Sequence, residues 1–249
     1  MQIFSVPAVI CSVFFASVAY SQDVSALIRK ADALDAQERS DEAIEVLKQA
    51  EKISPDNPNL LIKLSQDYSD KIDEAKDQSQ KLAFAKLCLE YAKKAVHQAP
   101  ENSDAHVCLS IAYGKMTDFT DNKTKMEYSK VVKAEAEKAV ELNPRNDLAL
   151  LILARWNFEM ATLNPILKAF AQTLYGQLPP ASKEKAVDYF QKAIAAAPER
   201  IIYHAEYAQA LDSMGKTKEA RVEWLKVKQL KPANAEDRRY VAEADKRLK

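Results

Sequence analysis

Three histidines, two cysteines in the charged part of the chain and a dense set of carboxylates are the side chains that could do chemistry here. His97, His106 and His204 are scattered along the sequence without His-Glu-x-x-His or Cys-x-x-Cys spacing, so no metal site is expected. Cys88 and Cys108 lack any motif that would set a base beside them. Both fall among apolar residues, where a thiol serves as a small hydrophobe, and a disulfide between them is the alternative. No Gly-x-Ser-x-Gly elbow and no Gly-x-x-x-x-Gly-Lys phosphate loop occurs. A glycosidase-like pair of carboxylates would need one member in an apolar setting that raises its pKa. Nearly all the carboxylates sit near Lys or Arg on solvated faces, as in Asp41-Glu42 and Lys183-Glu184-Lys185, so no catalytic residue and no cofactor is expected. Lys plus Arg and Asp plus Glu number 36 each, so no overall positive field exists to hold nucleic acid.

The elements that position these groups are helices. Only 3 glycines occur, and hydrophobic residues make up 47% of the chain, enough for a core and poor in turn formers. Five prolines, Pro55, Pro100, Pro144, Pro198 and Pro232, each follow a helical ending: AEKISP, AVHQAP, AVELNP, AIAAAP and KVKQLKP. The last two are 34 residues apart, the tetratricopeptide (TPR) period, and the wider spacings are that period plus extra turns. Counting back from Pro55, Leu27, Ala31, Leu34, Ala43, Leu47 and Ala50 occupy the signature positions. Tyr207, Ala208, Leu211, Ala220, Trp224 and Val227 do so before Pro232. Small residues recur where two antiparallel helices approach most closely, and bulky ones fill the space between. The expected fold is therefore an all-α, right-handed TPR-like solenoid of five helix-turn-helix units over 24–57, 58–102, 103–146, 147–200 and 201–234. The middle units are elongated or carry an insert, and a capping helix follows over 235–248. Ser103, Asp147 and Asn234 are the expected helix N-caps.

In such an array the inner face of each first helix forms a concave groove. On this frame the groove residues are Asp32, Asp35, Gln66, Asp70, Ile111, Lys115, Arg155, Phe158 and Glu159, acidic at one end and mixed apolar and basic in the middle. Ile28 and Asp32 stand where a chaperone-tail clamp would need Lys and Asn, which disfavours that ligand. Arg155 and Phe158 have contact with the inserted segment as an equal alternative. The insert, Asn164 to Gly176, sets Ile166, Leu167, Phe170 and Leu174 on one helical face, a stripe expected to pack on the solenoid, with an apolar pocket lining as the next reading and membrane contact as the last. His106 and His204 share one repeat position and are expected to pack at the helix pair.

The run Arg155 to Pro180, RWNFEMATLNPILKAFAQTLYGQLPP, followed by KEKAVDYFQKAIAAAP, resembles the regulator of microtubule dynamics family. There an RW-bearing helix leads into an insert ending in an LYG-like turn and a proline, matched here by Arg155, Trp156, Leu174, Tyr175, Gly176 and Pro179. The resemblance implies a TPR-like scaffold, linked in eukaryotes to microtubules, mitochondria and, in one branch, lipid. The short length and few cysteines fit an exported bacterial relative.

Met1 to Ser21 carries no charged side chain and contains an apolar stretch ending in small residues. It reads as a signal peptide cleaved after Ser21, with 22–249 as the repeat domain and a secreted or periplasmic location; an uncleaved membrane anchor is the alternative. The expected function is a non-catalytic scaffold that binds a peptide or protein partner in its groove. Carriage of a lipid under the insert is the first rival. A microtubule or organelle adaptor, relevant only inside a cell, is the second.

Overall fold

A computed structural model describes residues 24–166, 168, 169, 172 and 180–249. The leader expected over 1–21 and the cleavage expected after Ser21 lie outside these residues, as do Leu167, Phe170, Leu174, Tyr175 and Gly176 of the insert and Pro179 beyond it. Among the described residues the regular structure is helical throughout, with no strand. Helix α1 covers 24–35. It is followed by α2 (Ser40–Ile53), α3 (Pro58–Glu74), α4 (Gln78–Gln98), α5 (Ser103–Met116), α6 (Asn122–Leu142) and α7 (Asp147–Thr162). After the insert come α8 (Lys183–Ala196), α9 (Ile201–Ser213), α10 (Thr217–Gln229) and α11 (Ala235–Arg247). Helices pair in sequence, α3 on α4, α5 on α6, α7 on α8 and α9 on α10, and α4 packs on α5 and α6 on α7 to stack each unit on the next. The wide spacings from Pro55 to Pro100 and from Pro100 to Pro144 arise from α4 and α6, which run 21 residues each, and the widest, from Pro144 to Pro198, contains the insert. Among the described residues no helix is long and apolar enough to cross a membrane.

Alanines set the close approaches. Ala31, Ala43, Ala50, Ala92, Ala95, Ala136, Ala139, Ala186, Ala193, Ala208 and Ala220 are all fully buried. A leucine in place of Ala43 or Ala220 must push two backbones apart, so each substitution is expected to lower stability by about 1 to 3 kcal/mol. Denaturant midpoints check this, and unchanged midpoints for both would refute the frame.

The helix starts correct the sequence reading. Ser103 and Asp147 do not cap; the residue before each does. Asn102 accepts from the amides of Asp104 and Ala105, and Asn146 from that of Ala149. Asn57 and the expected Asn234 do the same for α3 and α11. All four stand two residues after a repeat proline, in extended or near-extended backbone that aims the short amide at the first turn. Only Arg200, the equivalent residue of the fourth repeat proline, makes no side-chain cap. Ser103 instead donates to the Ala139 carbonyl, and Asp147 accepts from the Tyr203 hydroxyl at 2.6 Å.

The helix-pair turns also share a position. Gly215, with φ of 75°, takes the left-handed conformation between α9 and α10, and Glu38, with φ of 57°, takes it between α1 and α2. Both stand seventeen residues before the unit's proline. Glycine adopts this backbone freely, whereas glutamate does so at a cost. Cys88 and Cys108 are buried and free. Burial pushes the Cys88 thiol up to about 11 and the Cys108 thiol still higher, so neither is a nucleophile at neutral pH.

Candidate functional site

The inner faces of the first helices enclose a cavity of about 930 Å³. Asp35 comes from α1, Asp67, Asp70 and Asp73 from α3, Lys115 from α5 and Arg155 from α7. The capping helix completes the wall, because Asn234, Ala235, Glu236 and Arg239 face the same space. Arg238 on α11 reaches Glu38 at 2.6 Å, so the last helix touches the first unit and the groove is bridged across its mouth. The cap is thus more than a polar end to the stack.

Charge inside this chamber is organised around α3. Residues three or four apart share a helix face, so Lys63, Asp67, Asp70 and Asp73 form a line. Lys63 Nζ stands 3.1 Å from Asp67, 3.2 Å from Asp32 and 2.5 Å from Asp35. Asp73 receives Lys115 at 2.6 Å. Asp70, between them, has no hydrogen bond or ion pair among the described residues. Asp67 is only 2% exposed, and while Oδ1 meets Lys63, its Oδ2 is buried without a donor. Asp35 Oδ2 likewise lacks a well-angled hydrogen bond but has its ion contact with Lys63.

The acid strengths follow from this enclosure. Burial pushes Asp67 up to about 7 against the opposing pull of Lys63, with the charges of Asp35 and Asp70 adding to the rise. Asp70 is open to water, but walls on several sides limit its hydration. That enclosure, together with Asp73, pushes it up to about 6. Glu236 on the chamber wall and Glu159 beside Arg155 are raised for the same first reason, restricted hydration. This corrects the reading of nearly all the carboxylates as solvated for the α3 line: an apolar neighbourhood is visible in sequence, whereas enclosure by the curvature of the array is not.

The nine groove residues divide. Asp35, Asp70, Lys115 and Arg155 line the cavity. Asp32 is tied to Lys63, Gln66 is exposed, and Glu159 is exposed beside Arg155. Ile111 and Phe158 pack against apolar core clusters and belong with the hydrophobic interior. Arg155 contacts Glu206 of α9 through both Nε and Nη2, and Glu206 also accepts from the Tyr240 hydroxyl of α11. Its described partner is therefore the next unit and, through Glu206, the cap. Lys63, Asp67, Asp73, Glu236 and Arg239 escape the sequence reading. The helical spacing of Lys63, Asp67, Asp70 and Asp73 is the signal that could mark the first three.

Trp156 is buried and donates to Ser129, fixing α7 on α6. His106 and His204 make matching contacts, each with one ring nitrogen 2.6 Å from a glutamate, Glu135 or Glu223, and the other on the carbonyl of Pro100 or Pro198. For His204 burial works against the charged ring, but Glu223 and the Pro198 carbonyl outweigh it and raise its pKa. The shared position is a clamp between a unit's entry loop and its second helix. Among the described residues no cluster of His, Cys, Asp or Glu is arranged to hold a metal.

Stacked helix pairs around a charged inner groove define a TPR-like scaffold. The family model described as regulator of microtubule dynamics protein 1-3 matches residues 27–249, and the chain belongs to that family. The Xenopus laevis regulator of microtubule dynamics protein 3 is 26% identical over 174 residues, covering 69% of this chain and 38% of the relative. The Mus musculus regulator of microtubule dynamics protein 1 is 28% identical over 159 residues, covering 61% and 50%. The chain thus spans half or less of the length of these relatives. Among solved structures, a thermophilic TPR protein of Thermus thermophilus superposes with a TM-score of 0.65 at 21% identity, covering 89% of this chain and 98% of that one. Pseudomonas aeruginosa PilF gives 0.55 at 14%, covering 92% and 89%. These likenesses concern the fold.

Proposed function

We propose that this protein is a non-catalytic scaffold that binds a peptide or protein partner in the concave chamber. The observation that supports it is the roughly 930 Å³ space walled by the first helices of four successive units and by α11, in which Asp70 and Arg239 carry no partner among the described residues. Successive units that each present side chains to one continuous groove suit an extended ligand, which can meet every unit in turn. The lipid-carrier reading has less support: Phe158 packs into the core, and the chamber is walled by charged side chains. The names of the relatives tie those proteins to microtubule dynamics, and a cytoskeletal partner applies here only if the chain stays inside the cell. The uncharged, small-residue leader favours export instead.

A photo-crosslinking residue placed at Arg239, on the chamber wall, is expected to capture one host polypeptide, whereas the same residue at Lys86, exposed and away from the chamber, captures none. Mass spectrometry of the adducts is the readout. Equal labelling from both positions, or from neither, would defeat the groove assignment.

A further inference from the structure

The reading above leaves the chemistry of the partner open, and the α3 carboxylates narrow it. We propose that the partner is a basic peptide segment, and that one of its Lys or Arg side chains seats in the chamber against Asp70 and the free Oδ2 of Asp67. Three observations carry this. Asp70 is the member of the α3 line that no lysine reaches: Lys63 serves Asp67 with Asp32 and Asp35, and Lys115 serves Asp73. Asp67 lines the chamber, and its Oδ2 is buried with its acceptor capacity unused, an arrangement that costs free energy until a donor arrives. Finally, carboxylates outnumber cations on the chamber lining, with Asp35, Glu38, Asp41, Glu42, Asp67, Asp70, Asp73, Glu74 and Glu236 facing Arg39, Lys71, Lys81, Lys115, Arg155 and Arg239. Pairs within the lining, Lys71 with Asp41 and Glu74 and Arg39 with Glu42, cancel charge of both signs, and Arg155 is held by Glu206 from outside it, so the excess of acids on the lining remains. An incoming ammonium or guanidinium therefore meets net negative potential and an acceptor pair, while an acidic peptide meets repulsion.

Seating a cation should also displace protons. Asp70, at about 6, faces Lys63, Asp67 and Asp73 of its own helix, Asp35 of α1 and Lys115 of α5, with Arg155 of α7 and Glu236 and Arg239 of α11 on the same cavity. A positive side chain favours the ionised carboxyl, so binding strengthens as pH rises from 5 to 7.5 and releases protons near pH 6.

The test uses the full chain with fluorescein-labelled nonapeptides of lysine, arginine and glutamate, and spermidine as a competitor. Anisotropy titrations are expected to give binding of the lysine or arginine peptide and none of the glutamate peptide. Asp70→Asn should weaken it at least tenfold with an unchanged circular dichroism spectrum. Glu141→Gln, which neutralises an exposed acid of α6 outside the chamber, should leave it within twofold. Calorimetry at pH 6 in buffers of different ionisation heat is expected to show proton release that Asp70→Asn diminishes. Should Asp70→Asn unfold the protein, Asp67→Asn under the same protocol decides. Equal loss in Asp70→Asn and Glu141→Gln, binding of the glutamate peptide, or spermidine bound more tightly than either cationic peptide would overturn the proposal. If crosslinking from Arg239 succeeds while both cationic peptides fail, the groove reading stands and the basic partner falls.

Discussion

Truncating Trp224 to alanine is expected to lower the unfolding free energy by about 3 to 5 kcal/mol, the range for emptying a large buried aromatic site. Trp224 is 1% exposed and stands at the bulky position of α10. It joins the C-terminal apolar cluster that includes Leu211, Val227 and Ala244, so it links the last helix pair to the cap. Its indole N–H donates to Asp212 at 2.9 Å, and Arg247 of α11 lies 6.0 Å from the ring. Alanine removes the ring volume, the donor and the surface on which Arg247 rests. Because apolar packing in a solenoid runs mainly between neighbouring units, and α11 reaches the first unit through the exposed Arg238–Glu38 pair, the damage should be concentrated in α10 and α11, with faster amide exchange there and little change in the cores of α3 to α6. Trp224→Phe keeps most of the volume and should lose much less. A Trp224→Ala midpoint within about 1 kcal/mol of wild type would mean that the cap is held by something other than this cluster.

The contribution of Trp224 is legible in the sequence because apolar periodicity and proline spacing depend on local chain geometry. The same applies to Ala43, Ala220 and the family-like Arg155–Trp156 pair. Sequence places two caps one residue late because Ser103 and Asp147 are themselves good capping residues. Choosing between neighbours requires knowing which backbone is extended, and Asn102 and Asn146 have that conformation. The groove is legible only in part. Repeat position picks out residues that point inward, as it does for Asp35, Asp70, Lys115 and Arg155, but cannot distinguish an open inner face from one covered by core packing, as at Ile111 and Phe158. Contacts between distant segments, such as Arg238 with Glu38, depend on the accumulated curvature of the array, and no local pattern encodes them.

Lys63 gives the sharpest test of how this chamber is held together. Its side chain is 17% exposed, and among the described residues it supplies the one ion contact of Asp67 while also reaching Asp32 and Asp35. Lys63→Met keeps the aliphatic stem but leaves three carboxylates close together, one of them buried. The expected loss at pH 8 is about 3 to 5 kcal/mol, the cost of breaking a buried pair rather than the worth of the pair itself. The pH dependence follows from proton counting. Asp67 has a folded pKa of about 7, above its ordinary unfolded value, so between those limits the folded state binds more protons than the unfolded one. Stability from this group is fully present below the unfolded pKa and is lost as pH rises through the folded one. Removing Lys63 takes away the main influence holding the Asp67 pKa down, so the loss extends to higher pH and the variant should be much closer to wild type at pH 5 than at pH 8. Adding Asp67→Asn should recover more than half of the deficit at pH 8 and flatten the pH profile. Urea midpoints across pH 5 to 8 for the wild type, the single variant and the double variant decide it. A deficit that is the same at both pH extremes, or a double variant no more stable than Lys63→Met, would show that Lys63 matters for packing and not for the charge of Asp67.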